Sequence, residues 1–260
     1  MNELSLFSGA GGGLLGSKLL GWKTIGYVEI SEDCQKLIAQ RIRDGICDNA
    51  PIYNDIKTFV DSGSCCLFKG ITDIISGGFP CQDISIANNS GKDGIKGIEG
   101  ERSGLWKEFS RVILSVGPKF VLVENSPMLT SRGLGTVLYD LAIMGYDARW
   151  GVLRASQFGL QHVRERIWIL AYPYSLRRDS LEEKQENRLS VINIKSPQEF
   201  AFRSIDLPFY MDGLVNNPMR GAFRNDDGVA DGMVRLKAIG NGQVPLCMAR
   251  AFQILSQGII

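Results

Sequence analysis

The sequence predicts an open α/β fold in which short strands alternate with helices. Three observations carry that expectation. Apolar runs of strand length recur through residues 1–171, and segments with helical apolar spacing lie between them. Several of the runs end in glycine, proline or a carboxylate, and in open α/β sheets ligands sit at the C-terminal ends of the strands. The chain has 260 residues, 44% of them hydrophobic and 22% charged, enough to bury a sizeable core without disulfides or metals.

The first apolar run, Leu4 to Phe7, leads into Ser8-Gly9-Ala10-Gly11-Gly12-Gly13, and Leu14, Leu15, Leu19 and Leu20 then suit a helix. Strand, glycine turn and helix form the context a nucleotide-type cofactor needs, because glycines let backbone N–H groups approach the ligand at a helix N-terminus. Thr24 to Val28 reads as a second strand ending at Glu29. An acidic residue about 20 positions after the glycine turn commonly holds a ribose hydroxyl. Together these features point to a ribose-bearing cofactor, against the alternative of a flexible turn.

Residues 32–44 read as an amphipathic helix with Leu37, Ile38 and Ile42 inward, Arg41 and Arg43 outward, and Gly45 as the stop. Asp55 has two open readings: an acceptor for an adenine amino group, or the N-cap of the next helix. Ile71 to Ile75 reads as a buried strand running into Ser76-Gly77-Gly78-Phe79-Pro80-Cys81-Gln82-Asp83-Ile84-Ser85. Pro80 stiffens the backbone just before a thiol at the ligand edge, so Cys81 is either a nucleophile or a small buried hydrophobe. Residues 83–103 form a long glycine-containing loop, of the kind that closes over a substrate.

Leu105, Phe109, Val112, Ile113 and Val116 make a helical core stripe, and Lys119 to Val123 is a strand ending in Glu124-Asn125-Ser126-Pro127. A glutamate at such an edge, if buried, can hold a proton at neutral pH. A helix over 134–144, a strand at Trp150 to Leu153 and a strand at Ile167 to Ala171 follow. Just before the last of these, Arg164 and Arg166 sit at i and i+2 of an extended stretch and point the same way.

Composition removes several alternatives. The net charge is +1, so no global field marks a polyanion partner, although local basic clusters can still do so. The six cysteines, at 34, 47, 65, 66, 81 and 247, include no CxxC pair. The single histidine, His162, nearly excludes a multi-histidine metal site or a histidine-based triad. No bound metal is expected. No signal-peptide pattern and no apolar run of about 18 residues occurs. The expectation is a reduced, cytoplasmic protein with no membrane contact.

Beyond Pro173 the character changes. Residues 175–190 are dense in charge, residues 191–230 are irregular, and Leu236 to Pro245 leads into an apolar helix ending near Leu255. The expected organisation is a catalytic α/β unit over 1–171, an appended region over 172–234, and a segment over 235–260 that packs back on the first unit.

In this order the motifs resemble those of the DNA cytosine-5 methyltransferases, and the likeness spans nearly the whole chain. Phe7-Ser8-Gly9-Ala10-Gly11-Gly12 is similar to their S-adenosylmethionine loop, Pro80-Cys81-Gln82 to the nucleophile motif, and Glu124-Asn125 to the motif of the catalytic glutamate. Arg164-Glu165-Arg166 is similar to their Arg-x-Arg element, and Gly240-Asn241 to the late motif that returns to the cofactor.

The resemblance implies a doubly wound, mostly parallel, seven-stranded Rossmann-like sheet with a small, irregular target-recognition region over 172–234. It implies Cys81, Glu124, Arg164 and Arg166 as catalytic residues. Phe7, Ser8, Gly9, Gly11, Gly12, Glu29, Ile30, Asp55, Ile56, Pro80 and Asn241 would bind S-adenosylmethionine, and Gln82, Ser85 and Asn125 the substrate. The implied partner is double-stranded DNA, with the protein a monomer in a bacterial or phage-infected cell, and the short recognition region resembles that of phage- or prophage-borne members.

Three departures stand out. Ser126 replaces a common valine, one extra residue separates Gln161 from Arg164, and the recognition region is short. Methylation of tRNA and a degenerate cofactor- or DNA-binding protein are the competing readings. A generic dehydrogenase would not need the Pro-Cys, Glu-Asn and Arg-x-Arg motifs at successive strand ends.

Overall fold

The computed structural model describes residues 1–80, 104–161, 163–176 and 242–260. Cys81, Gln82, Ser85, the expected closing loop at 83–103, His162, Asn241 and nearly all of the 172–234 region lie outside the described residues.

The apolar runs assemble into one seven-stranded sheet. Its strands are β1 (Asn2–Leu6), β2 (Lys23–Val28), β3 (Ile52–Tyr53), β4 (Ile74–Gly77), β5 (Phe120–Asn125), β6 (Tyr146–Arg154) and β7 (Glu165–Pro173), in the order β3-β2-β1-β4-β5-β7-β6. The first five strands run parallel, while β7 is antiparallel to both β5 and β6. The expected mostly parallel sheet is therefore present, and its reversed strand starts within the Arg-x-Arg element, at Glu165.

Alternation along β5 sends side chains into two cores. Val121 and Val123 join the cluster that includes Phe109, Val112, Ile113, Val137 and Leu141. These come from α4 (Leu105–Val116) and α6 (Leu134–Ile143), which lie on the same face as α3 (Ile56–Asp61) and the short α5 (Leu129–Arg132). Phe120 and Leu122 point into the other cluster, with Trp22, Trp168, Met248 and Phe252. There α7 (Pro245–Leu255) packs on α1 (Gly12–Leu19), at a point where Gly16 leaves room. A Cβ on Gly16 would sit 2.7 Å from Met248 Sδ and 2.8 Å from the Pro245 carbonyl. On the flank, α2 (Glu32–Arg43) starts at Ser31, whose hydroxyl accepts from Cys34 N, and carries Glu32 and Asp33 in its first turn.

Two expectations about helix and strand edges need correction. Strand β4 begins at Ile74, and Ile71 is 54% exposed. Ile71 lies in a turn whose carbonyl accepts from Asn2 Nδ2. On α2, Ile38 is buried but Leu37 is exposed, because Leu37 lies at the margin of the inward face.

Candidate active site

The glycine loop between β1 and α1 is shaped by left-handed backbone. Phe7 has φ 51°, Gly9 55° and Gly11 83°, and Gly11 is the N-cap of α1. Phe7 has no glycine freedom, so its conformation is a local strain of the kind that clusters at functional sites. Ser8 holds the turn by donating its hydroxyl to the Ser5 carbonyl at 3.1 Å, while its N–H donates to the Val28 carbonyl at 3.2 Å.

Glu29 closes the loop from β2. Its Oε2 accepts from Gly9 N at 2.6 Å and its Oε1 from Ser31 N at 2.9 Å. The acidic residue read from spacing therefore lies against the glycine loop. Arg41, expected to point into solvent, instead donates to the Ala10 carbonyl. Ile30 stands next to Glu29 with 72% of its surface exposed, an apolar platform at the strand end. Asp55 takes the cap role: its carboxylate accepts from Lys57 N and Thr58 N at the start of α3. Ile56 behind it is buried in the core, which leaves its backbone rather than its side chain for a ligand.

Strand β4 delivers the turn that leads to Cys81. Gly77 and Gly78 are needed there, since a Cβ on Gly77 would lie 2.4 Å from the Leu6 carbonyl and one on Gly78 2.6 Å from Glu124 Oε2. Asn125 Nδ2 donates to the Phe79 carbonyl at 3.2 Å, and Ser126 N donates to Asn125 Oδ1 at 2.7 Å. The Asn125 amide thus braces the backbone just before Pro80.

Glu124 is buried at the end of β5. Arg166 Nε lies 2.8 Å from its Oε1, a close ion pair at the strand end. Arg164 donates from Nη2 to the Gly242 carbonyl at 2.7 Å and also acts on Glu124 through its charge. Burial pushes the Glu124 carboxyl above the usual carboxylate range, and the charges of Arg166 and Arg164 offset part of that rise. Burial, then the nearby Arg166, lowers Arg164 from its ordinary value. The two arginines therefore lie on the same side, as their i, i+2 spacing predicts, with Arg166 paired to Glu124 and Arg164 acting on it through its charge.

Two site residues were not found from sequence. Gln243 runs along the glycine loop: a Cβ on Gly12 would lie 2.0 Å from the Gln243 carbonyl, and one on Gly13 2.3 Å from Gln243 Oε1. Glycine at 12 is thus demanded by the backbone of the returning C-terminal segment, whereas at 13 the neighbour is the end of the Gln243 side chain. The other is Glu3, fully buried on β1, which accepts from the Ser76 hydroxyl of β4. A cavity of about 30 Å³ marks the meeting point, lined by Ser5, Ser8, Gly9, Ser76, Glu124 and Gln243 among others. One end of a ligand fits such a space, not a whole cofactor. The glycine cradle at the start of α1, the Glu29 carboxylate and exposed Ile30 suit a nucleoside-bearing cofactor lying across this mouth.

The sequence matches the C-5 cytosine-specific DNA methylase family over residues 1–204. The chain belongs to this family. Among similar proteins, a type II methyltransferase of a Paramecium bursaria Chlorella virus is 35% identical over 170 residues, covering 65% of this chain and 42% of the relative. One from Staphylococcus aureus is 28% identical over 205 residues, covering 71% and 47%. The chain thus spans about half the length, or less, of these relatives. A solved structure of a prophage-encoded Escherichia coli protein, described as a DNA modification methyltransferase, superposes with TM-score 0.53 at 24% identity, covering 68% of this chain and 48% of that one. This likeness supports the Rossmann-like fold. Family membership brings cytosine-C5 methyl transfer from S-adenosylmethionine as the chemistry of the group. Among the described residues no helix is long and apolar enough to cross a membrane, and no cluster of three His, Cys, Asp or Glu could hold a metal.

Proposed function

We propose that this protein methylates C5 of a flipped-out cytosine in double-stranded DNA through a covalent bond between Cys81 and C6. The observation that carries the reading is the convergence of Glu124, Arg166 and Arg164 opposite the Gly78-Phe79-Pro80 turn, the turn that leads directly to Cys81. When bound, S-adenosylmethionine supplies an electrophilic methyl group. Phe7, Ser8, Gly9, Gly11 and Gly12 cradle it, Glu29 takes the ribose, Ile30, Asp55 and Ile56 take the adenine, and Pro80 and Asn241 complete the wall.

Cytosine C5 is a weak nucleophile, and the site raises its electron density by covalent catalysis. The Cys81 thiolate adds to C6 while Glu124, its proton held by burial, hydrogen-bonds or protonates N3. C5 then takes the methyl group, and loss of the C5 proton expels the thiolate. Arg164 lends positive charge to the thiolate, and Arg166 orients Glu124 and the base carbonyl. Gln82, Ser85 and Asn125 line the base pocket, with Asn125 acting through the turn it braces. The target base lies stacked in a duplex and must leave it to reach these groups. Residues 172–234 carry target recognition, residues 235–260 complete the catalytic unit over 1–171, and the protein works as a cytoplasmic monomer.

The direct test is transfer of tritiated methyl from S-adenosylmethionine to a mixed-sequence duplex DNA and, separately, to tRNA. The account expects label at cytosine C5 of DNA that is lost in Cys81→Ser. Label in tRNA alone replaces the substrate, and bound cofactor without transfer to either replaces the enzyme by a binding protein.

A further inference from the structure

Glu3 is fully buried in the middle of the sheet, on the strand that leads to the glycine loop. Its Oε1 accepts from the Ser17 hydroxyl of α1 at 2.6 Å and from the Ser76 hydroxyl of β4, and its Oε2 accepts from the Thr24 hydroxyl of β2 at 2.8 Å. Three elements thus aim hydroxyl donors at one carboxylate, and among the described residues no arginine or lysine forms an ion pair with it. Lys18 of α1 donates instead to the Ile46 carbonyl at 2.8 Å. The other charged group acting on Glu3 is Asp48, a like charge held by Thr24 N at 2.8 Å. Tyr27 and Cys47 face the same region as neutral groups, both with pKa raised by burial. An unpaired ionised carboxylate in a core is costly, so such a group has a reason to be there.

Its position supplies one. Ser76, which donates to Glu3, also lines the cavity under the glycine loop, and so does Ser5, two residues along β1 on the same face. Ser17 has a second acceptor, the Gly13 carbonyl at 3.2 Å. With one hydroxyl proton, Ser17 either donates to an ionised Glu3 or turns to Gly13 and accepts from a protonated one. Glu3 is therefore one hydroxyl away from the cofactor cavity and one hydroxyl away from the cofactor loop.

We propose that Glu3 is a specificity-determining residue that favours the positively charged methyl donor over its neutral demethylated product. This rests on the cofactor assignment above. The sulfonium centre brings a positive charge into a low-dielectric site, where a nearby buried carboxylate interacts with it strongly. Binding of the cation to protein with protonated Glu3 yields ionised Glu3 and one released proton, and the proton returns when the charge is lost on transfer. The product, carrying no sulfonium charge, gains nothing from Glu3. The result is preferential release of product, a step that often limits turnover.

Isothermal titration of the full chain with S-adenosylmethionine and with S-adenosylhomocysteine, each in phosphate and in Tris at one pH, tests this. The expected result is greater proton release with the sulfonium ligand, and a ratio of affinities that falls roughly five- to tenfold in Glu3→Gln. Glu124 lines the cavity and burial raises its proton affinity too, so Glu124→Gln is measured in parallel and should keep the difference. Equal proton release for the two ligands in the unmodified protein overturns the proposal, as does loss of the difference in Glu124→Gln. If Glu3→Gln does not fold, Ser17→Ala serves: losing a donor makes Glu3 harder to ionise, so the ratio of affinities should fall several-fold, and an unchanged ratio overturns the proposal. Failure of both ligands to bind the unmodified protein overturns the cofactor assignment instead.

Discussion

Glu124 lines the cavity under the glycine loop, Glu3 is joined to it through the Ser76 hydroxyl, and the surroundings of these two buried carboxylates differ in kind. Glu124 stands at the C-terminal end of β5 with two arginines converging on it, and its Oε2 faces the Gly78 turn. Glu3 lies farther down β1 with three hydroxyl donors and, among the described residues, no cation paired to it. Burial raises the proton affinity of both. The lesson is that burial alone does not assign a role. Arginines that hold a carboxylate at a strand end, beside the route of a substrate, fit acid–base work. Hydroxyls that leave a carboxylate uncompensated beneath a cofactor cavity fit an electrostatic role.

The sharpest break in this comparison is Glu124→Gln, which removes the proton donor while keeping the shape. Its kcat should fall by about 10²- to 10⁴-fold, with a smaller change in the KM for S-adenosylmethionine. A fall confined to KM would move Glu124 out of the chemistry. The pH profile should follow: with the protonated form active, kcat falls as pH rises through the elevated Glu124 value, and residual activity in Glu124→Gln lacks that descending limb.

Next in size is Gly12→Ala. The added Cβ would lie 2.0 Å from the Gln243 carbonyl, backbone that cannot swing away, so the wall that the C-terminal segment sets against the glycine loop must shift. Calorimetry should show at least a tenfold loss of cofactor affinity, since small misplacements in a preorganised site are costly. Truncation after residue 235 removes that wall altogether and should abolish cofactor binding. Unchanged affinity would detach the C-terminal segment from the site.

A stability measurement reads both carboxylates on a smaller scale. A carboxyl raised by folding binds its proton more tightly in the native state, so its contribution is full at low pH and declines as pH rises past the unfolded value towards the folded one. Chemical denaturation should therefore show Glu3→Gln gaining on the unmodified protein as pH rises. Glu124→Gln should gain in the same direction, since burial raises that carboxyl too against its arginines. The smallest effect belongs to Cys247, a thiol that burial pushes up to about 11 even though Arg164 acts to lower it. Cys247→Ala should change kcat less than twofold and cost about 1 kcal/mol in stability.

What was legible in the sequence has a physical pattern. The glycine loop, Glu29 and Glu124 followed from strand periodicity, because a strand end fixes where the next side chain points. Of the two readings of Asp55, its contacts with Lys57 N and Thr58 N show the cap, while the adenine contact needs a bound ligand to be seen. Ile71 was misplaced because a short apolar run does not mark its own first paired residue, and the pairing of β4 with β1 begins at Ile74. Glu3 was invisible for another reason: its partners lie 14, 21 and 73 positions away in the chain. Gln243 likewise acquires meaning only when α7 docks on α1. Long-range convergence, unlike periodicity, leaves no local trace.

The central claim, covalent attack by Cys81 on cytosine, is tested most directly by trapping. Duplex DNA carrying 5-fluorocytosine has no C5 proton to lose, so after methyl transfer the cysteine cannot leave. Incubation with S-adenosylmethionine should give a denaturant-stable protein–DNA adduct with the unmodified protein and with Cys247→Ala, mapped by mass spectrometry to Cys81, and none with Cys81→Ser. An adduct that persists in Cys81→Ser, or methyl transfer without any adduct, would contradict the account.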